Sequence, residues 1–167
     1  MIEDRSTYPN GHDQLKAHIL TGTNNSKPKS RGYELIDHTA DIGIKAYGKN
    51  LKKLFVNAAC GMFGILADLK NVRKEKEVEI KLEAPDVEEL FLLWLGELLY
   101  QLNGKGIILK EFLIEELTGK RLVARVTGEK LNLKRHCLKT EIKAVTYHGL
   151  KVRKIKDAWQ AEVIFDV

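Results

Sequence analysis

Two acidic residues placed at the ends of predicted strands are the strongest candidates for chemistry in this chain. Asp41 stands in the segment HTADIG (residues 38–43), and Asp166 is followed only by Val167, where a free α-carboxylate is expected. Three negative groups converge if the last strand runs beside the strand that begins at Asp41. Carboxylate and main-chain oxygens are the ligands that hard divalent cations such as calcium, magnesium and manganese prefer. The pattern indicates a cation site, although an acid near a chain end is more often simply solvated.

Length and composition limit the class of protein. The chain has 167 residues, enough for one domain with a sizeable core and a tail. No apolar run reaches the ~18 residues of a membrane helix, and no apolar signal stretch begins the sequence. We therefore expect a soluble cytoplasmic protein without membrane partners. Cys60 and Cys137 are far apart and form no C-x-x-C pair, so neither a zinc site nor a disulfide framework is indicated.

The chain has a net charge of +5, and a run of basic residues makes part of its second half locally basic. Such charge favours an anionic partner, either RNA or an acidic protein face. A solvated lysine-rich surface explains it equally well, because aromatic residues are not interleaved with the basic ones as in single-strand binding platforms. The basic residues are Lys134, Arg135, His136, Lys139, Lys151, Arg153, Lys154 and Lys156.

The elements that must position the acids follow from periodicity. Residues 1–31 are rich in Gly, Pro, Asn and Ser and lack a sustained apolar period, which predicts a disordered N-terminal extension before a domain at 32–167. Apolar residues at three- and four-residue spacing predict two helices, over 51–66 and 87–103. We expect Asn50 and Asp86 to cap their amino ends, and Asn103-Gly104 to end the second in a left-handed cap.

The remaining apolar segments predict strands separated by turns at 118–120 and 148–149. Together with the helices they predict an α+β single domain, with two helices packed on a mainly antiparallel or mixed β-sheet. A doubly wound fold fits less well, because the second half lacks helices. The predicted strands are 33–36, 42–47, 75–83, 107–114, 121–127, 141–147, 151–155 and 159–165.

The two-residue period of a strand also predicts which way the acids point. Val163 and Phe165 share the apolar face of the last strand, so Asp166 lies on the opposite face. Asp41 likewise alternates with Ile42 and should point away from the core. Similarly, Ile142 and Ala144 on either side of Lys143 are expected to face inward, which turns the Lys143 side chain outward.

Four segments in this order closely resemble the archease family, and the resemblance runs from about Tyr33 to Val167. They are HTADIGI (38–44), ACGMFG (59–64), EIKAVTYHG (141–149) and FDV (165–167). Archeases are non-enzymatic partners of the RtcB-type RNA ligase, which joins tRNA halves after intron removal. The resemblance implies that this protein promotes guanylylation and multiple turnover of such a ligase, and meets tRNA only through it.

The resemblance also implies roles for individual residues. Residues matching Asp41, Asp166 and the terminal Val167 hold a divalent metal ion, calcium in the isolated protein, with magnesium and manganese as alternatives. Lys143 is expected to contact a phosphate or an acidic residue of the ligase; the alternative is a cross-strand ion pair worth under ~1 kcal/mol. His38 is a candidate ligand, but a histidine in a turn is more often a hydrogen-bonding group around the site.

No catalytic motif stands out beside the acids. The chain lacks G-x-S-x-G, a Walker glycine loop, H-E-x-x-H and a dinucleotide fingerprint, which agrees with an accessory protein. One alternative is a metal-dependent phosphohydrolase, in which Lys143 and His38 are the only candidates to assist the metal. Another is a generic RNA-binding or chaperone-like module that acts through the basic strands.

Overall fold

Nine strands and two helices form the part of the chain that the computed structural model describes, residues 32–167. The extension predicted over 1–31 lies outside the described residues. No helix in the described part is long and apolar enough to cross a membrane. The elements are β1 (Tyr33–His38), β2 (Asp41–Gly48), α1 (Leu51–Leu66), β3 (Ala67–Asp68), β4 (Lys76–Glu83), α2 (Val87–Asn103), β5 (Ile107–Leu117), β6 (Arg121–Lys130), β7 (Cys137–Leu138), β8 (Ala144–Ile155) and β9 (Ala158–Asp166).

The strands form two main antiparallel sheets. The first sheet has the order β1-β2-β9-β8, the second has the order β4-β6-β5, and β3 pairs with β7 separately. Both helices contact both main sheets, α1 through β2 and β5, and α2 through β8 and β5. The predicted α+β architecture, with two helices packed on antiparallel sheet, is therefore confirmed.

The core lies where the helices meet the two sheets. Trp94 of α2 is fully buried, and its indole Nε1–H donates to the Phe55 carbonyl of α1 at 3.0 Å. The Phe55 ring meets Phe91 edge-on at 5.1 Å, and Trp94 meets Phe112 of β5 at 6.4 Å. These buried aromatic pairs join α1, α2 and β5, and they add to the stabilisation from apolar burial. The core is built around α2, as its apolar stripe predicts.

Helix α1 begins and continues for identifiable reasons. The Asn50 side chain accepts from the Lys53 N–H at 2.8 Å, which confirms the predicted amino-terminal cap. Gly61 and Gly64 lie within the helix because the Tyr33 side chain packs against it. A Cβ added at Gly61 lies 3.1 Å from the Tyr33 ring, and one added at Gly64 lies 3.0 Å from its hydroxyl oxygen. The glycines permit close packing and do not end the helix early.

Helix α2 starts as predicted but ends differently. The Asp86 carboxylate accepts from the Glu89 N–H at 2.9 Å and caps the amino end. The left-handed cap predicted at Asn103-Gly104 is wrong, because Gly104 is right-handed helical with φ −91°. The left-handed residue is Gly106, with φ +66°, whose N–H donates to the Leu102 carbonyl. The chain thus leaves the helix two residues later than the sequence predicted.

Strand β8 also differs from its prediction. Two strands separated by a turn at 148–149 were expected, but one strand runs from Ala144 to Ile155. Thr146 pairs with Ile164 and Lys151 with Glu162, so four residues of β8 lie opposite a single residue of β9. This wide bulge, with Gly149 at φ +69°, absorbs the turn-like residues without ending the strand. The predicted start at residue 141 is likewise wrong by three residues.

A buried polar cluster fixes the segment between β6 and β7. Glu129 is 2% exposed, and its carboxylate pairs with the Arg135 guanidinium and accepts from the Arg73 N–H. His136 accepts from the Asn132 N–H at Nδ1, so its Nε2 carries the proton and donates to Glu129 at 2.8 Å. Because the Glu129 carboxylate is hydrogen-bonded to both Arg135 and His136, the cluster holds the segment between β6 and β7 in place.

The Glu129 cluster predicts a pH dependence of stability. The Arg135 hydrogen bond, aided by the Arg73 N–H and His136, lowers the Glu129 pKa from 4.5 to about 2 despite its burial. A folded-state pKa below the unfolded value stabilises the fold above pH 4.5, and this contribution is lost as the pH falls towards 2. In urea unfolding between pH 7 and pH 2.5, we expect Glu129→Gln to be less stable at pH 7 and to lose less stability on acidification. Glu116→Gln, in an exposed pair, is the control, and equal slopes for Glu129→Gln and the parent would contradict the assignment.

Candidate metal centre

Strand pairing brings Asp41 and Asp166 to the same end of the first sheet. Strands β2 and β9 are antiparallel, with Ile42 opposite Phe165. Asp41 lies one residue before Ile42 and Asp166 one residue after Phe165, so the two acids stand beside each other on neighbouring strands. Directly opposed residues of an antiparallel pair have Cβ atoms about 5 Å apart, a span that one cation can bridge between two carboxylates.

Neighbouring strands extend this row across the sheet. His38 is the partner of Asp41 in β1, and Ala144 is the partner of Asp166 in β8. The row therefore reads His38, Asp41, Asp166 and Ala144 from edge to edge. A ligand role for His38 stays a prediction, because the pairing places its backbone at the site without deciding what its ring contacts.

Both acids point away from the core, as the two-residue period predicts. Ile42 and Phe165 are buried against the helices, whereas Asp41 is partly exposed and Asp166 is exposed. Within residues 32–167, no ammonium or guanidinium group lies within ion-pair distance of either carboxylate. Among the described residues, the two acids are thus adjacent anions without a lysine or arginine partner. A cation bound between them would relieve their mutual repulsion.

Gly43 makes the close strand pairing beside the acids possible. A Cβ added there would lie 2.8 Å from the Val163 carbonyl oxygen and 2.9 Å from the Ile164 side chain. A larger residue would therefore push β2 away from β9 next to the acids. Sequence reasoning assigned no role to this glycine, although its place two residues after Asp41 in HTADIG was visible.

Lys143 secures the end of β9. Its backbone N–H donates to the Asp166 carbonyl at 2.7 Å, and its Nζ donates to a main-chain oxygen of Val167 at 3.4 Å. The alternative, a cross-strand ion pair of Lys143 with an Asp or Glu side chain, is not formed within the described residues. Ile142 is buried as predicted, but the prediction for Ala144 is wrong, because its side chain is exposed where β8 begins at the sheet edge. Lys143 therefore lies at the acid end with its ammonium group turned to the terminal segment.

The segment from 139 to 143 also brings the carboxyl ends of both helices to this end of the domain. The Lys139 N–H donates to the Leu66 carbonyl at the end of α1, and the Asn103 side chain of α2 donates to the Ile142 carbonyl. Helix carboxyl ends carry partial negative charge, which favours cations within about one turn. This convergence was not foreseen, because it depends on an irregular segment without a periodic pattern.

The donor set is compatible with a hard divalent cation but is small. Residues 32–167 contain no group of three or more His, Cys, Asp or Glu side chains placed to hold a metal ion. Asp41 and Asp166 supply two carboxylates, and Val167 can supply only main-chain oxygen as a third group. Calcium takes six to eight oxygen ligands, and magnesium and manganese sites are also oxygen-rich. A cation at this position would therefore keep several coordination sites open to water, phosphate or a partner.

Comparison with known proteins identifies the family. The model of the Archease protein family (MTH1598/TM1083) matches residues 33–167. The chain is 40% identical to protein archease of Methanosarcina barkeri over 143 residues, covering 83% of this chain and 98% of the relative. Its identity to protein archease of Pyrococcus furiosus is 35% over 141 residues, covering 82% and 99% of the two chains.

Solved structures agree with the sequence comparisons. The solution structure of protein 1598 from Methanobacterium thermoautotrophicum has a TM-score of 0.72 and 32% identity, covering 82% of this chain and 99% of that one. The crystal structure of an archease from Thermotoga maritima, with a TM-score of 0.52 and 24% identity, shares the fold over 86% of this chain and 98% of that one. The chain therefore belongs to the archease family.

Proposed function

We propose that this protein is a non-enzymatic activator of an RtcB-type RNA ligase in tRNA splicing, which promotes guanylylation and multiple turnover of the ligase. The proposal rests on family membership together with one structural observation, the adjacency of Asp41 and Asp166, which have no lysine or arginine partner among the described residues. In this proposal the protein meets tRNA only through the ligase, and it acts in the cytoplasm.

The acid end supports binding of a divalent metal ion, calcium first, with magnesium and manganese as alternatives. Asp41, Asp166 and the main-chain oxygens of Val167 would hold it, because oxygen donors suit hard cations. When bound, the ion would supply positive charge that neutralises nucleotide phosphates. The carboxylates would fix its position from the rigid end of a sheet, and the few protein ligands would leave room for phosphate oxygens of a partner's nucleotide.

Lys143 would act beside the metal ion in this proposal. Its ammonium group lies 3.4 Å from a Val167 main-chain oxygen and faces solvent. From there it could hold the terminal segment in place and contact a phosphate or an acidic side chain of the ligase when the two proteins meet. His38, opposite Asp41, would orient the site by hydrogen bonding.

Ligation under limiting ligase tests the proposed function. We expect the ligase alone to stop after about one turnover, and the full-length protein to restore many turnovers and to raise the guanylylated fraction of ligase. A chain lacking Asp166-Val167 should stimulate far less. Release of phosphate from nucleotides by this protein without ligase would instead support a phosphohydrolase. Salt-sensitive binding of free tRNA would support the generic RNA-binding module.

A further inference from the structure

An apolar groove runs along the solvent side of α2 to the start of β8. Its volume is about 540 Å³, and Leu93 and Tyr100 remain 39% and 53% exposed in it. Large apolar side chains exposed together beside a polar border are typical of protein interaction sites. The residues on which the argument depends are Leu82, Leu93, Gly96, Tyr100, Lys143 and Ala144.

The floor of this groove is open at Gly96. A Cβ added at Gly96 meets no atom within 4 Å, although the residue lies in the middle of α2. A glycine inside a helix is unfavourable by itself, and no neighbour within the described residues requires it for close packing. Its effect is to leave space between Leu93 and Tyr100, one helical turn to either side, into which another chain can insert a side chain.

The walls of the groove are preformed. Lys105 places its Nζ 5.7 Å from the centre of the Tyr100 ring, which favours one orientation of that ring. On the same helix, Glu97 accepts a hydrogen bond from Gln101 at 2.7 Å and gives the groove a polar border. An exposed tyrosine in an apolar setting with a polar rim is the kind of residue that contributes most to protein binding.

The groove is continuous with the acid end. Lys143 lines it and also donates to a Val167 main-chain oxygen, and Ala144 lines it and also pairs with Asp166. A macromolecule that reaches the acids from this side therefore passes over the groove. A nucleic acid fits poorly, because the described groove has only two cations, Lys143 in its lining and Lys105 beside Tyr100.

We infer that this groove is the docking site for an apolar segment of the RNA ligase, which places the acid end against the ligase nucleotide site. The inference rests on the proposed function and adds the surface by which the partner is held. In this inference, the groove determines the affinity for the ligase, and Asp41 and Asp166 determine how far the ligase is stimulated. The two contributions are separable by substitution.

The test measures binding and stimulation separately with the full-length protein. Gly96→Gln projects a polar side chain into the groove, whereas Gly96→Ala also raises helix propensity but adds only a methyl group. We expect Gly96→Gln to weaken the affinity for purified ligase, measured by calorimetric titration, about tenfold or more. Both variants should keep or raise the thermal unfolding midpoint, and saturating Gly96→Gln should restore full stimulation.

Each other outcome identifies a different error. Unchanged ligase affinity for Gly96→Gln, with the unsubstituted protein still stimulating, would overturn the groove and leave the proposed function standing. Failure of the unsubstituted protein to bind ligase would overturn both. If sedimentation shows a dimer that Gly96→Gln dissociates, the occupant is a second copy. If deletion of residues 1–31 tightens ligase binding and Gly96→Gln does not weaken it, the occupant is the chain's own extension.

Discussion

Asp41→Ala is expected to lower the affinity for calcium about tenfold or more and to abolish stimulation of the ligase. The substitution removes one of the two carboxylates that the pairing of β2 with β9 places side by side. A tenfold loss of affinity corresponds to about 1.4 kcal/mol of binding free energy. This is a modest loss for the removal of one carboxylate ligand. The fold should hold, because Asp41 is partly exposed and replacing one of two adjacent anions relieves repulsion.

Calorimetric titration with calcium and multiple-turnover ligation measure the two effects of Asp41→Ala. Asp37→Ala is the matched control: Asp37 is an exposed acid of the same hairpin, but it pairs with Ile42 and so belongs to the other face. Asp41→Asn should also lose metal affinity, since an amide keeps the size but not the charge. If Asp41→Ala stimulates the ligase as well as the Asp37→Ala control does, the acid end is not the working part of the protein.

Trp94→Ala is expected to lower the free energy of unfolding by about 3–5 kcal/mol. The side chain is fully buried, packs on Phe112 and donates to the Phe55 carbonyl, so its removal leaves a cavity between α1, α2 and β5 and removes one hydrogen bond to that carbonyl. Native domains have only about 5–15 kcal/mol in total. The loss should therefore appear as a large drop in thermal midpoint and, at 37 °C, as a partly unfolded protein.

Two further substitutions divide this effect into its parts. Trp94→Phe keeps most of the apolar bulk and removes the N–H donor, so it should cost about 1 kcal/mol from the hydrogen bond and a smaller amount from imperfect packing. Leu93→Ala, at the exposed neighbouring position, should change the free energy of unfolding by less than about 1 kcal/mol. Urea unfolding at pH 7 measures all three. Equal losses for Trp94→Ala and Leu93→Ala would show that α2 does not centre the core.

Features that depend on local periodicity and capping follow from the order of the amino acids alone. The apolar stripe of α2, the caps at Asn50 and Asp86, and the outward direction of Asp41 and Asp166 were all readable, because each depends on residues close in sequence. The order of four segments, HTADIGI, ACGMFG, EIKAVTYHG and FDV, was enough to identify the family by resemblance. These features are predictable because the helix and strand periods determine which face of an element each side chain lies on.

The way in which distant segments meet depends on long-range strand pairing and helix packing. Neither the wide bulge in β8 nor the left-handed conformation at Gly106 instead of Gly104 follows from local pattern, because strand pairing and helix packing select among turn positions of similar energy. The adjacency of Asp41 and Asp166, the need for glycine at position 43, and the groove at Gly96 all arise from long-range contacts. The strand period predicts that Asp41 and Asp166 face outward. Whether these two acids lie side by side depends on the pairing of strands that carry residues 125 positions apart in the chain.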